Sequence, residues 1–244
     1  MRNALALSLA ALLLGGCASH ENLDPNGIWI NQNAIDAAAK GGNLRQALLA
    51  NGPTLEWSLD TQAGQATLYN GFELSEGRMQ PQASGELKVD FYGNGEETLK
   101  VDGDQLQQSA SDTSPQQNFR KTTTVVPANA PIGTSFEQAL YSAYMGGNWK
   151  VVEGPGAGST AHFLPDGRID GLAGLDRYAL CLAGDCAAMS GEFDSMWLEQ
   201  KQQGNAFIFR RTGNQLEILQ ALNQAGENEM PDLHPGVRRW LLSK

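Results

Sequence analysis

The stretch from Phe163 to Cys186, FLPDGRIDGLAGLDRYALCLAGDC, leaves the chain few folds to choose from. Asp166-Gly167 is a tight-turn pair, Gly171, Gly174 and Gly184 interrupt any helical run, and Cys181 and Cys186 have four residues between them. An Asp-Gly pair supplies the positive φ that a two-residue hairpin turn needs. Glycine inside a strand marks a place where another backbone comes close. Such a segment suits short strands around turns and does not suit a helical bundle.

The same punctuation recurs along the chain. Leu55, Trp57 and Leu59 alternate with polar neighbours, the period of a half-buried strand. Turn signals follow at Gln62-Ala63-Gly64, Asn70-Gly71, Gly93-Asn94-Gly95 and Asp102-Gly103. Short strands lie between them at Ala66–Tyr69, Glu86–Tyr92, Glu97–Val101 and Gln105–Gln108, the spacing of an antiparallel meander. The β-branched run Thr122–Val126 is expected to continue a closing strand from Asn118. Further on, Met196–Lys201, Ala206–Arg211 and Gln215–Leu219 form a three-strand meander with turns at Gly204-Asn205 and Gly213-Asn214. Ser109 to Gln117 reads as a polar loop.

Helices are few. Ala34 to Leu49 is rich in Ala and Leu but is split by Gly41-Gly42, which predicts two short helices or one broken one. Thr134-Ser135-Phe136-Glu137 matches a capping box, and Phe136, Leu140, Tyr141 and Tyr144 fall on one face of the helix it would start. The tail from Pro235 to Leu242 is expected to form a short terminal helix docking Trp240 and Leu241. The fold class expected is mainly β: two sequential antiparallel units, meander or small barrel-like, each with a short helix. Their bounds are 17–127 and 134–244, with 128–133 as linker. Gly27-Ile28-Trp29 opens the first unit as Gly147-Asn148-Trp149 opens the second, and Lys100–Leu106 resembles Arg211–Leu216 in turn and flanks. Trp29 and Trp149 suit the plug of a small barrel.

Residues 1–16 have the form of an export signal, with Arg2 ahead of an apolar run from Ala4 to Leu14. That run is too short for a bilayer span, which takes about 20 residues. Leu14-Gly15-Gly16-Cys17 resembles the lipobox of bacterial lipoproteins, which implies cleavage before Cys17 and acylation of that cysteine. Ala18, where an aspartate would imply inner-membrane retention, points to the outer membrane, with the protein facing the periplasm. Removal of the leader takes Arg2 with it, so the formal charge of −10 becomes −11. An acidic chain does not bind nucleic acid by charge. With Cys17 acylated, Cys181 and Cys186 are the remaining thiols, and an oxidising compartment favours a structural disulfide between them.

Motifs for catalysis are missing: there is no G-x-S-x-G, H-E-x-x-H, G-x-x-x-x-G-K-[ST] or G-x-G-x-x-G. The histidines after the leader are His20 in the tether, His162 in a strand and His234 before a proline. Ser159 and Ser190 carry no supporting motif, and the carboxylates Asp166, Asp170, Asp176, Asp185, Glu192 and Asp194 are spread through an acidic chain. No catalytic residue, metal site or cofactor is expected. Five tryptophans and five tyrosines among so many strands instead suit a core with a concave binding face.

Phe163, Asp166, Gly167, Arg168, Ile169, Gly171, Ala173, Gly174, Arg177 and Tyr178 together resemble the signature of META (HslJ-like) domains, small β-rich modules of bacterial envelope proteins. Leu175-Asp176 stands where that family has Cys-Asn, and the cysteines fall at 181 and 186 instead. The resemblance implies an envelope location and carries over no catalytic residue. The Gly-x-Trp openings are also similar to those of lipocalin-like barrels. In the motif itself, Arg168 or Arg177 is expected to pair with Asp170 or Asp176, and Gly171 and Gly174 to let backbones approach.

The function expected is therefore a non-enzymatic, periplasm-facing outer-membrane lipoprotein that binds an envelope partner or a small ligand. The segment Leu182, Ala183, Gly184 and Asp185, closed by the two cysteines, is the expected binding loop. A second expectation is an inhibitor of an envelope hydrolase such as lysozyme, and a third is an enzyme acting on glycan or lipid.

Overall fold

The computed structural model describes residues 24–112 and 114–244. The leader 1–16, the expected anchor Cys17 and His20 lie outside the described residues, as does Thr113 within the loop from Ser109 to Gln117.

The chain opens on strand β1 (Gly27–Ile30), followed by helices α1 (Gln32–Ala39) and α2 (Leu44–Leu49). Asn31 caps α1 by accepting from Ala34 N at 3.0 Å, and Asn43 caps α2 by accepting from Gln46 N at 2.8 Å. Gly41 and Gly42 both take positive φ and break the run into two helices, as the glycine pair predicts. The first barrel is completed by β2 (Glu56–Asp60), β3 (Gln65–Tyr69), β4 (Leu74–Pro81), β5 (Leu87–Asp90), β6 (Glu96–Asp102), β7 (Gln105–Gln108) and β8 (Gln117–Lys121). Each pairs antiparallel with the next, and β8 returns to β1 through Trp29↔Lys121 and Ile30↔Arg120, so the barrel is closed.

Two local expectations fail in this barrel, each for a tertiary reason. The closing strand stops at Lys121 instead of running to Val126: Thr122 N still donates to Ile28 O at 2.9 Å, but β1 begins at Gly27 and gives the rest of the run no neighbour. Val125 is 94% exposed. Strand β4 was not expected at all: only Gly77 and Met79 are buried along it, so its sequence carries almost no alternation. Its place is fixed by neighbours on both sides, β3 and β5.

Helix α3 (Thr134–Tyr144) leads into the second unit. Its capping box does not form. The N-cap is Gly133, and the buried N–H groups of Gly133 and Phe136, which have no partner within the helix, donate to the Glu56 carboxylate of β2, each at 2.8 Å. Glu137 instead accepts from the Tyr69 hydroxyl at 2.6 Å. A carboxylate from the first barrel has taken over the role the helix's own side chains were expected to play.

The second unit comprises β9 (Gly147–Glu153), β10 (Thr160–Phe163), β11 (Ile169–Asp170), β12 (Arg177–Leu180), helix α4 (Gly184–Ser190), β13 (Ser195–Gln200), β14 (Gln203–Thr212), β15 (Gln215–Asn223) and β16 (Leu233–Ser243). The sheet order is β11-β10-β9-β16-β15-β14-β13-β12. Its two ends meet through an Arg168↔Arg177 bridge and through Ile169 N donating to Asp176 O and Tyr178 N to Gly167 O. The cyclic order is therefore that of the first barrel. The expected tail helix is strand β16, because β15 and β9 each need this segment as a neighbour. Alternation then buries Trp240 and Leu242 and leaves Leu241 half-buried on the outer side.

The opening tryptophans match in detail. Trp29 Nε1 donates to Pro25 O at 2.8 Å, and Trp149 Nε1 donates to Met145 O at 2.7 Å, each four residues back. The Lys121 ammonium lies 5.4 Å from the Trp29 ring and that of Lys244 lies 4.5 Å from the Trp149 ring. Gly27 and Gly147 leave room for these lysine stems at positive φ.

Two cores result. One fills the first barrel around Trp29, Trp57, Met79, Leu99 and Phe119. The other is continuous from the second barrel through α3 and on to α1 and α2, including Phe163, Tyr178, Leu140, Tyr144, Ile35 and Leu44. Across this layer Asp194, just ahead of β13, accepts from Leu44 N at 2.6 Å and Arg45 N at 3.1 Å. Each barrel thus caps a helix packed on the other, Glu56 capping α3 and Asp194 capping α2.

Candidate functional site

The end of the first barrel where β3 turns into β4 and β5 into β6 opens into a cleft of about 530 Å³. Its walls come from Leu68 at the end of β3, Leu74 and Glu76 at the start of β4, Phe91 and Tyr92 after β5, and Glu96 and Glu97 at the start of β6, with Ser114 from the loop before β8. Eight strands enclose an interior just wide enough for side chains or one small ligand. Here hydrophobic side chains fill the interior and the cleft occupies its mouth. Leu74 is 50% and Tyr92 69% exposed, so apolar side chains stand open to solvent at the rim beside the exposed carboxylates Glu76 and Glu96.

Below the rim a buried polar chain runs into the core. Trp57 Nε1 donates to Gln108 Oε1 at 3.1 Å, Gln108 Nε2 to Ser114 Oγ at 3.1 Å, and Ser114 Oγ to Glu97 Oε1 at 3.2 Å. Ser111 Oγ also donates to Glu97 Oε1 at 3.1 Å. Glu97 is 7% exposed, and its second oxygen, Oε2, is buried with no hydrogen-bond partner. Leaving a buried carboxylate oxygen unpaired is costly, and such a group calls for an account. Trp57 also stacks on Phe91 of the cleft wall, ring centroids 6.2 Å apart, so its indole touches both the polar chain and the wall.

The expected binding loop has a different part. Cys181 and Cys186 are bridged. Leu182 is 7% exposed and belongs to the core, and Gly184 and Asp185 open helix α4. The segment lies against the β3–β4 turn of the first barrel: a Cβ on Gly71 would stand 3.0 Å from Leu182 Cβ, and one on Gly184 would stand 2.1 Å from the Phe72 ring. Asn70 and Leu74, at either end of that turn, line the cleft. The bridged segment Leu182–Asp185 is thus packed behind the lip of the cleft, with Leu182 buried, Ala183 and Gly184 half-buried and Asp185 exposed.

The motif residues around Asp166 are spread over a turn and two strands. Phe163 and Tyr178 pack edge to face, centroids 5.2 Å apart, and Tyr178 stacks on Tyr141 of α3 at 4.9 Å. Gly167 turns at positive φ, and Gly171 passes so close to Thr160 that a Cβ would stand 2.1 Å from its carbonyl oxygen. Gly174 faces only the movable end of Gln200. Arg168 pairs with Asp166 at 2.7 Å instead of with Asp170 or Asp176, since Asp166 lies two residues back on the same turn. Asp176 accepts from Lys201 N at 2.9 Å. Asp166, Gly167, Arg177 and Tyr178 border a recess of about 190 Å³. Ligand sites run from about 300 Å³ upward.

The remaining candidates disperse. Ser159 Oγ donates to Gly171 O and Ser190 Oγ to Cys186 O, both backbone acceptors. His234 lies 3.1 Å from Asp232 on β16. Three carboxylates are buried in the helix layer, Glu56 and Glu137 near one another and Asp194 at the start of α2. Burial pushes Glu56, Glu137 and Asp194 above the ordinary carboxylate range. Backbone donors pull Glu56 and Asp194 part of the way back, and the Tyr69 hydroxyl does so for Glu137. Glu56 and Asp194 spend their oxygens on helix N–H groups, so the layer reads as a joint.

Glu97 and Ser114 were missed as site residues. One signal was there: with Leu99 buried, the period of two puts Glu97 on the inner face of β6, a charge where the pattern calls for an apolar side chain. Comparison of the chain with family models, with curated proteins and with solved structures finds no match among any of the three.

Proposed function

We propose that this chain is a lipid-anchored envelope protein, held by Cys17 at the periplasmic face of the outer membrane, that acts by binding a small molecule in the mouth of its first barrel. The observation that carries the reading is the cleft itself: a concavity of about 530 Å³ whose lining mixes apolar side chains (Leu68, Leu74, Phe91, Tyr92) with polar ones (Glu76, Glu96), and which holds one buried, unspent acceptor, Glu97 Oε2. A concavity of this size, with a few placed polar groups, is what small ligands use. The second barrel serves it indirectly, since the bridged segment Cys181–Cys186 backs the lip formed by the β3–β4 turn.

Two measurements test this. Replacing Cys17 by Ser is expected to move the protein from the membrane fraction to the soluble one, and retention in the membrane sinks the anchor. For binding, tryptophan emission is followed while a small-molecule fraction of envelope extract is added. A change that disappears in Trp57→Phe supports the cleft, because Trp57 stacks on its wall. No change at any concentration, or one that Trp57→Phe leaves intact, rejects it.

A further inference from the structure

Resting on that reading of the cleft, we infer that its ligand is a small organic cation: a primary ammonium group carried on an apolar or aromatic body. The ammonium is placed by Glu97. Its Oε1 is held by two serine hydroxyls at 3.1 and 3.2 Å, which fixes the carboxylate and leaves Oε2 buried and unpaired at the cleft. A neutral alcohol could give that oxygen one hydrogen bond, whereas an ammonium gives it a charge-assisted one and cancels the buried charge. An anion would meet Glu97 together with Glu76 and Glu96 and no lysine or arginine among the lining residues. Lys88, which reaches the lining carboxylate Glu96 at 2.8 Å, has its charge engaged there.

The body of the ligand is placed by the walls. Phe91 and Tyr92 offer aromatic faces and Leu68 and Leu74 aliphatic ones. Aromatic faces attract cations as well as apolar groups, so the wall favours the same ligand class as the floor. A metal ion fits less well. Among the described residues no three His, Cys, Asp or Glu side chains gather as a metal would require. The acidic charge of the whole chain, −10, also draws cations toward such a mouth.

The test uses the full-length protein in a nonionic detergent and three probes of one shape: 2-phenylethylamine, 2-phenylethanol and phenylacetate, titrated by calorimetry. The amine is expected to bind about 10- to 100-fold more tightly than the alcohol, the worth of one charge-assisted hydrogen bond at a buried site, and phenylacetate more weakly than either. Glu97→Gln keeps an oxygen for both serines while removing the charge, and is expected to lower the amine to the affinity of the alcohol and to leave the alcohol unchanged. Glu76→Gln, at an exposed rim position, is the variant with no folding risk and is expected to weaken the amine alone. Equal binding of amine and alcohol, or an amine preference that survives both substitutions, overturns the cation while leaving the cleft a ligand site. If none of the probes binds, the cation falls, and the cleft then stands or falls with the envelope extract.

Discussion

Strand for strand, the two barrels are built alike. Their first strands each open on Gly-x-Trp under a lysine from the last strand, and the similar sequences Lys100–Leu106 and Arg211–Leu216 fall on the same turn, between the sixth and seventh strands of each barrel. Their interiors diverge. In the second barrel α3 lays Phe136, Leu140, Tyr141 and Tyr144 against the strand side chains, Tyr144 meeting Phe209 at 6.2 Å, and the core runs on into the helix layer. In the first, the core stays inside the barrel, and a polar chain of Trp57, Gln108, Ser114 and Glu97 leads from it to an open mouth. The lesson is that strand order sets how wide a small barrel is and both interiors are filled, while the segment before the barrel and the loops at its mouth decide whether that end is covered or left as a cleft.

The comparison can be broken most forcefully at the tryptophans. Trp29→Ala and Trp149→Ala are each expected to cost about 3–5 kcal/mol, as large buried aromatics do, measured by urea unfolding. If the barrels are equivalent in build the two costs agree to within about 1 kcal/mol, and a neutral effect at either position breaks the parallel. Next comes the joint. Asp194→Ala strips two N–H groups and Arg45 of their partner in the helix layer and is expected to cost about 3 kcal/mol. One cooperative transition in the native protein splitting into two in this variant would show the barrels uncoupled. An unchanged midpoint would show that the joint contributes nothing.

A smaller effect is expected from the bridge. Cys181→Ser with Cys186→Ser opens a short loop and should cost about 2 kcal/mol by chain entropy. Because that loop backs the lip of the other barrel, ligand binding at the cleft should weaken too; unchanged affinity would separate the barrels functionally. The smallest expected effect is that of pH. Glu56, Glu137 and Asp194 are raised by burial in the folded chain, so their contribution is fully present below the unfolded carboxylate values of about 4 and is lost as pH rises through the raised folded ones. Stability followed by urea midpoint should therefore decline from mildly acidic pH toward neutral at this joint, and Glu56→Gln should flatten the slope. An identical slope in that variant excludes Glu56 as a source.

Much of the architecture was legible. Period-two runs between glycine turns located β2, β3, β5, β6 and β7 and the meander β13–β15, since alternation reports directly which face is buried. The places that failed are those where another part of the chain outweighed local preference. The tail Pro235–Leu242 was expected as a short terminal helix docking Trp240 and Leu241, yet its neighbours β15 and β9 require an extended partner. Thr134 and Glu137 form a sound capping box on paper, but Glu56 arrives from a strand 77 residues away. The site was the least legible. Glu97 was read within a strand and Ser114 within a polar loop, and nothing local joins them, because a hydrogen bond across 17 residues depends on how the barrel closes. The contact of Gly184 in the bridged loop with Phe72 was equally illegible, because Phe72 lies in the other barrel.

By itself, then, the sequence determined what depends on neighbours along the chain: strands and turns, two β-rich units, the glycine break between α1 and α2, and a pair of cysteines close enough to bridge. Those follow from φ preferences and side-chain period, which act over a few residues. Tertiary structure alone decided the exchange of caps between the barrels, the continuation of one core into the helix layer and the open mouth of the other barrel, and the lone carboxylate oxygen at that mouth. Each of these rests on satisfying a buried polar or apolar group with a partner from a distant strand, a condition that exists only once the barrels have closed and met.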